Sequence, residues 1–327
     1  MCYPASMAGT SYIDSTCKSA VNRVTGMPFK WSLNPYRGCV HACHYCYARE
    51  THTFLGLNAD RDFENQIFVK SNIASVLDRE LSRPGWPGES IALGTATDCY
   101  QPAEKRFRLT RNCLEVLLKH RNAFSVVTKS SLIVRDLELI RAIADVADVR
   151  IYVTVTTVDQ ELSDRIEPGA FPPHVRLAAL KTLADAGIHC EVMMAPVAPG
   201  INDSQDQIDR VTEAAATAGA RSIHTGPLRL AVPVKNHFYT FLQHDFPDLL
   251  PWYLRNMDGQ HLPQAAQERI AERARAARAR FGLEQDEPGT APDPTLPRVL
   301  TFQQLAIPMG DPVVPEDIPL RYDPLSA

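Results

Sequence analysis

No apolar run in these 327 residues approaches the length needed to cross a bilayer, and Met1 to Asp14 has neither a basic start nor an apolar signal segment. A cytoplasmic protein without membrane contact is therefore expected. An excess of one charge is missing as well. Against 34 Lys and Arg stand 38 Asp and Glu, a formal net charge of −4, which gives no global attraction to nucleic acid. Lys105, Arg106, Arg108 and Arg111 form one short basic cluster, the kind most often found on a solvated surface. A secreted disulfide framework is also absent. Five of the eight cysteines (Cys2, Cys17, Cys99, Cys113 and Cys190) are scattered, which fits a reducing compartment.

The other three cysteines do cluster. Cys39, Cys43 and Cys46 lie in the run Asn34-Pro-Tyr-Arg-Gly-Cys-Val-His-Ala-Cys-His-Tyr-Cys-Tyr-Ala-Arg49, three thiols within eight residues at the spacing C-x3-C-x2-C. Three ligands are one short of a closed four-cysteine site. A cubane [4Fe–4S] cluster held by three cysteines keeps one iron open to a substrate, which points to chemistry rather than to structure alone. The competing reading is a structural zinc ion completed by His41, His44 or His52.

Along the chain, short β-branched runs alternate with longer helical patterns, the signature of a parallel sheet built from βα units. Six strand candidates are Lys30–Leu33, Ser90–Thr95, Phe124–Lys129, Val149–Thr157, His189–Ala195 and Arg221–Gly226. Helical candidates follow each of them, near Ala48–Leu55, Arg111–Lys119, Asp136–Ala144, His174–Ala186, Gln205–Ala218 and Val234–His244. Thr110 is placed to cap the second of these, and Gly187 and Gly219 stand where left-handed residues would end the fourth and fifth. Six such repeats with ligand-binding loops at the strand C-termini imply an α/β fold, a partial (β/α)6 TIM-type barrel. A doubly wound open sheet is the alternative, because periodicity does not separate a curved sheet from a flat one. The expected organisation is an N-terminal arm over 1–28, a barrel core over 29–250, and an extension over 251–327. That extension holds an Ala- and Arg-rich helix from Pro263 to Gly282 and a tail from Glu284 to Ala327 with nine prolines.

The C-x3-C-x2-C spacing with Tyr45 just before the third cysteine resembles the cluster loop of the radical S-adenosylmethionine (SAM) superfamily. The runs NPYRGCVHACHYCYAR, GTATDCYQPAE, VTKSSLIVRD and EP followed by AGI-x5-MAP resemble its spore photoproduct lyase-like subgroup, over roughly Phe29 to Asp245. The resemblance implies a partial barrel of the radical SAM kind. It implies that Cys39, Cys43 and Cys46 ligate a [4Fe–4S] cluster whose open iron binds SAM. The reduced cluster would then cleave SAM to a 5′-deoxyadenosyl radical that abstracts hydrogen from carbon. A reducing partner such as flavodoxin or ferredoxin is implied with it. The substrate is left open, nucleic acid among the alternatives.

Residues at the strand C-termini are the candidates for holding SAM. Thr97 and Asp98, in the polar segment after the second strand, occupy the place where the family holds the SAM ammonium group, although the common Gly-Gly-Glu form is absent; their other reading is an Asx-type turn. Lys129 can pair with the SAM carboxylate, or be a surface lysine. Thr154 shares a strand face with Thr156 and can reach the SAM ribose or carboxylate, and Tyr45 is the aromatic member of the cluster motif. Glu167 and Arg176 form either a substrate-facing ion pair or a loop tie. True spore photoproduct lyase returns a hydrogen atom from a cysteine near the second strand; here Thr95 stands at that place, so Cys99 and Tyr47 are the candidates left for such a step. DNA lesion repair and a non-catalytic, metal-stabilised nucleic-acid-binding protein are the rival readings.

Overall fold

The computed structural model describes residues 9–257 and 259–283, so the Pro-rich stretch from Glu284 lies outside the described residues. The first half of the chain forms strands β1 (Ser11–Ser15), β2 (Val21–Arg23), β3 (Trp31–Leu33), β4 (Tyr36–Arg37), β5 (Gln66–Lys70) and β6 (Ile91–Leu93). Strands β7 (Phe124–Thr128), β8 (Val149–Thr154), β9 (His189–Val197) and β10 (Ile223–Pro227) follow. Helices α1 (Arg61–Asn65), α2 (Ile73–Leu81), α3 (Ala103–Phe107), α4 (Leu109–Lys119), α5 (Leu137–Ala144) and α6 (Gln160–Ile166) lie between them. The remaining helices are α7 (Pro173–Asp185), α8 (Gln205–Thr217), α9 (Val232–Asp245), α10 (Leu250–Asn256) and α11 (Gln264–Phe281).

The large sheet has the order β2-β3-β6-β7-β8-β9-β10, and every neighbouring pair from β3 to β10 is parallel. Strand order never reverses, so the switch point that defines a doubly wound sheet does not occur. Successive crossovers of one hand put the helices on one face, and the sheet is the open, partial barrel expected from the six βα units. Register sets its two faces. Leu33, Leu93, Val126, Ile151 and Cys190 are aligned across five strands and are fully buried toward the helices. Residues one position on point to the opposite, concave face: Thr154, Met193 and His224 form one such row, and Tyr152 beside Glu191 the row below.

Differences from the sequence reading have local causes. Leu109 begins α4 after the left-handed Arg108, and Thr110 sits inside the helix with its hydroxyl donating to the Cys99 carbonyl at 2.5 Å, so it is no cap. Gly187 and Gly219, both at φ +85°, do end α7 and α8. The stretch at Tyr47–Leu55 is a 3-10 helix. A second sheet, β1-β5-β4, lies where the sequence reading put no strand, and pairs Ser11 to Ser15 in parallel with Gln66 to Lys70. Helix α2 was also unforeseen, though its buried Ile73, Val76, Leu77 and Leu81 have helical spacing. Helix α11 appears where the Ala- and Arg-rich run predicts it, and Ala266, Ile270, Ala274 and Ala277 form its buried stripe. Among the described residues, no helix is long and apolar enough to cross a membrane.

Candidate active site at the cysteine loop

The cysteine loop leaves the C-terminal end of β3, the first parallel strand, as a barrel site requires. Cys39 and Cys43 are buried and Cys46 is half-buried; all three are free thiols. Short-range bonds wind the loop: the amides of Ala42, Cys46 and Arg49 donate to the carbonyls of Cys39, Cys43 and Cys46 at 3.2–3.3 Å. Burial pushes the Cys43 thiol up to about 12 against the opposing pull of the Lys129 ammonium, and burial with the nearby Asp98 charge raises Cys39 as well. Buried thiols of this kind become thiolates when a metal takes the charge, which suits a metal-binding role.

Three residues clamp the loop from outside the cysteine pattern. Arg49 is fully buried and its guanidinium donates to the carbonyls of Cys43 (2.9 Å), Ala42 (2.7 Å), Ala59 (3.1 Å) and Asp60 (3.2 Å), with Glu64 at 2.5 Å. Gln101, also fully buried, donates to the Gly38 carbonyl at 3.0 Å and accepts from the Val40 amide at 3.2 Å. Gly169 backs the loop so closely that a Cβ there would lie 2.0 Å from the Val40 carbonyl oxygen. No sequence signal separates a buried clamp such as Arg49 from a surface arginine.

The expected SAM-holding residues divide into two sets. Lys129 lies with its Nζ 5.7 Å from the Tyr45 ring centroid, and no described residue hydrogen-bonds that ammonium. Burial alone would lower the Lys129 pKa, but the neighbouring Cys43 and Glu167 charges outweigh it and hold the group protonated. Thr154 is buried at the end of β8, and its hydroxyl has no hydrogen-bond partner among the described residues. Tyr45 donates to Glu167, which also accepts from Thr156 at 2.9 Å and pairs with Arg176 at 2.5 Å. Burial would raise the Glu167 pKa, but Arg176 and Lys129 hold it below the usual range. Glu167 and Arg176 therefore tie the loop after β8 to the cysteine loop.

Thr97 and Asp98 face inward. Asp98 Oδ1 accepts from the Tyr100 amide at 2.9 Å and the Thr128 hydroxyl at 2.8 Å; Oδ2 accepts from the Lys129 amide at 2.7 Å and lies 3.3 Å from His41 Nδ1. Four donors use the roughly four acceptor sites of a carboxylate. Burial would raise its pKa, yet His41 and these donors hold it down at about 2. Thr97 donates to the Gly38 carbonyl at 2.6 Å and accepts from Gln101 at 2.9 Å. Cys99 is fully buried, whereas Tyr47 is half exposed and its hydroxyl donates to the Thr95 carbonyl.

The three histidines of the zinc alternative are engaged elsewhere. His44 stacks on Phe241 at 4.2 Å with its Nδ1 3.0 Å from His237, His41 faces Asp98, and His52 Nε2 lies 3.0 Å from the Gln66 carbonyl oxygen. Among the described residues, no three His, Cys, Asp or Glu side chains converge to hold a single metal ion. A cubane asks for no such convergence, since each cysteine binds a different iron.

A curved parallel sheet with a three-thiol loop after its first parallel strand and a lysine facing it defines a partial α/β barrel with a candidate site at its strand C-termini. The description of the Radical SAM superfamily matches residues 33–211, and the chain belongs to that superfamily. Among its relatives, the uncharacterized protein Rv2578c of Mycobacterium tuberculosis is 37% identical over 289 residues, 87% of this chain and 85% of that one. The uncharacterized protein MJ0683 of Methanocaldococcus jannaschii is 30% identical over 174 residues, 53% of this chain and 62% of that one. Among solved structures, spore photoproduct lyase complexed with dinucleoside spore photoproduct shares the fold at TM-score 0.63 and 16% identity, covering 85% of this chain and 81% of that one. A mutant of the same lyase with bound AdoMet and the dinucleoside aligns equally well, at TM-score 0.63 and 15% identity over 85% and 81% of the two chains. The superfamily implies a [4Fe–4S] cluster and SAM, and the free thiols of the loop with a Lys129 ammonium that no described residue hydrogen-bonds fit both.

Proposed function

We propose that Cys39, Cys43 and Cys46 hold a [4Fe–4S] cluster, and that Tyr45, Lys129 and Thr154 contact SAM on the concave face beside it. When bound, the pair supplies one-electron cleavage of SAM and hydrogen abstraction from a carbon of the substrate. The observation that supports this reading most is the half-buried Lys129 ammonium, which faces the cysteine loop and which no described residue hydrogen-bonds. Lys129 pairs with the SAM carboxylate and Thr154 offers a hydroxyl to its polar groups. Thr97 and Asp98 act through their neighbours: Asp98 fixes the Lys129 backbone and His41, and Thr97 fixes Gly38 just before the first cysteine. Arg49, Gln101 and Glu167 hold the loop in place. The reaction is of lyase or oxidoreductase type, driven by a reducing partner such as flavodoxin or ferredoxin, in a cytoplasmic setting.

A DNA lesion repair lyase is the second reading, favoured by the shared fold with the lyase that carries dinucleoside spore photoproduct. Two observations weigh against it. The Cys99 thiol is sealed and held protonated by burial, so Tyr47 would have to return the hydrogen atom. Several of the arginines that could bind phosphate are also spent internally: Arg111 pairs with Asp136, Arg273 with Asp203 and Arg280 with Asp209.

The test is 5′-deoxyadenosine formation by anaerobically reconstituted protein with SAM and a strong reductant, against a Cys39/Cys43/Cys46→Ala triple variant. Product from the unaltered chain alone supports the proposal. Failure of the reconstituted chain both to bind SAM and to form product would sink it.

A further inference from the structure

Across the concave face from Lys129 and Thr154 lies a second polar constellation. Glu191 on β9 is fully buried. Its Oε1 lies 3.0 Å from His189 Nε2 and 3.6 Å from Arg150, and its Oε2 accepts from Ser222 Oγ at 2.6 Å and from His224 Nε2. Tyr152 on β8 stands against the His224 ring at 5.7 Å. So many donors on one carboxylate exceed what closing a strand edge needs, and they leave His224 in a defined state. An ionised Glu191 only accepts, so Nε2 of His224 carries a proton, and Nδ1 is the acceptor of the neutral ring. Burial would raise the Glu191 pKa, but the bonds from His189, His224 and Ser222 overcome this and hold it ionised far below the usual range. No described residue hydrogen-bonds Nδ1, and the His224 side chain is 30% exposed.

Register gives this nitrogen its meaning. His224 aligns with Met193 and Met193 with Thr154, so the three share one row of the concave face. At ~4.8 Å between strands, His224 lies about 10 Å across the sheet from Thr154. A small molecule lying along this row would span the distance between the proposed SAM position and the imidazole. Met193, on the strand between them, offers it an adaptable apolar floor.

We propose that His224, poised by Glu191, is the substrate-binding and proton-accepting end of the pocket, and that Nδ1 takes a hydroxyl or imide N–H donor of a polar substrate lying over Met193. In the proton step the substrate O–H or N–H bond breaks, its electron pair stays on the substrate heteroatom, and the proton joins Nδ1. The imidazolium is then compensated by Glu191. The charged and titratable groups facing it are Arg150, Tyr152 and, through Arg150, Asp148 on the β8 side, and His189 and Glu191 on β9. The inference rests on the preceding section only for the position of SAM.

The test is carbethoxylation of His224 by diethyl pyrocarbonate, mapped by mass spectrometry on the reconstituted full chain, with ribose, uracil or inorganic phosphate as probe. Ribose supplies hydroxyl donors, uracil supplies imide N–H, and phosphate is chiefly an acceptor. Slowing of His224 labelling by about threefold with ribose or uracil, as expected at a probe concentration of twice its Kd, supports the proposal and tells which donor the site takes. Protection by phosphate alone, or by none of the three, overturns it. Glu191→Gln should reduce the protection that ribose or uracil gives His224 at fixed pH, because a glutamine amide donates as well as accepts and no longer fixes the proton of His224 on Nε2. Unchanged protection in a Glu191→Gln variant that still binds SAM would refute the role of Glu191. SAM binding measured by equilibrium dialysis on the same preparation reports separately on Lys129 and Thr154, so the two readings can fail independently.

Discussion

Replacing Arg49 by methionine keeps much of the stem's volume and removes every donor of the guanidinium. Three of the acceptors it serves, the carbonyls of Ala42, Cys43 and Ala59, are bonded in fully buried contacts. Leaving a buried acceptor unsatisfied costs about 1–3 kcal/mol, so three of them, partly relieved by relaxation, cost about 3–6 kcal/mol. Loss of the ion pair with Glu64 acts in the same direction, since that carboxylate is only 18% exposed. Such a loss is a large share of the roughly 5–15 kcal/mol that stabilises a typical domain. It falls on the peptide groups that space the second and third cysteines. Urea unfolding of the metal-free chain should therefore show a strongly lowered midpoint, and iron bound after anaerobic reconstitution should fall with it. Arg49→Lys, which retains a charge but cannot span four carbonyls, should recover only part of both. A methionine variant with unaltered midpoint and full iron content would refute the idea that this guanidinium organises the cysteine loop.

Three further outcomes are expected. Gly169→Ala should lower iron content and SAM cleavage together, because its Cβ must displace the Val40 carbonyl 2.0 Å away; parallel iron assays and product chromatography check this, and full cluster loading would contradict it. Lys129→Ala should weaken SAM binding in equilibrium dialysis by roughly 10- to 100-fold, the effect of losing a charge-assisted contact of about 1.5–3 kcal/mol, while iron content stays near that of the unaltered chain. Glu191 gives the acid limb of the stability curve. Its folded pKa is depressed, so its contribution is present above the unfolded value near 4.3 and is lost as pH falls below it. Melting temperatures between pH 6 and 3 should fall less steeply in Glu191→Gln than in the unaltered chain, and identical slopes would count against this.

Much of the architecture is legible from local pattern. β-Branched runs such as Val149–Thr154 and helical stripes such as Leu180 and Leu183 report the burial of one face, which is a property of sequence alone. The C-x3-C-x2-C run is equally local, because three ligands within eight residues need only one loop to meet a cluster. Helix α2 was legible by the same rule. The β1-β5-β4 sheet was not, since Ser11 finds its partner at Gln66 and no local pattern specifies so distant a pairing.

Sequence by itself determined the six βα units, the cysteine loop after the first of them and the residue types available at the strand ends. Tertiary structure decided what those residues do. Asp98 became a saturated tie because four donors from three segments converge on it, whereas no described residue hydrogen-bonds the Lys129 ammonium, which lies by the Tyr45 ring and the Cys43 and Glu167 charges. Arg49 became a clamp and His224 an imidazole aligned with Thr154 for the same physical reason. Hydrogen-bond saturation and strand register depend on which distant segments meet, and that is set by packing the whole sheet.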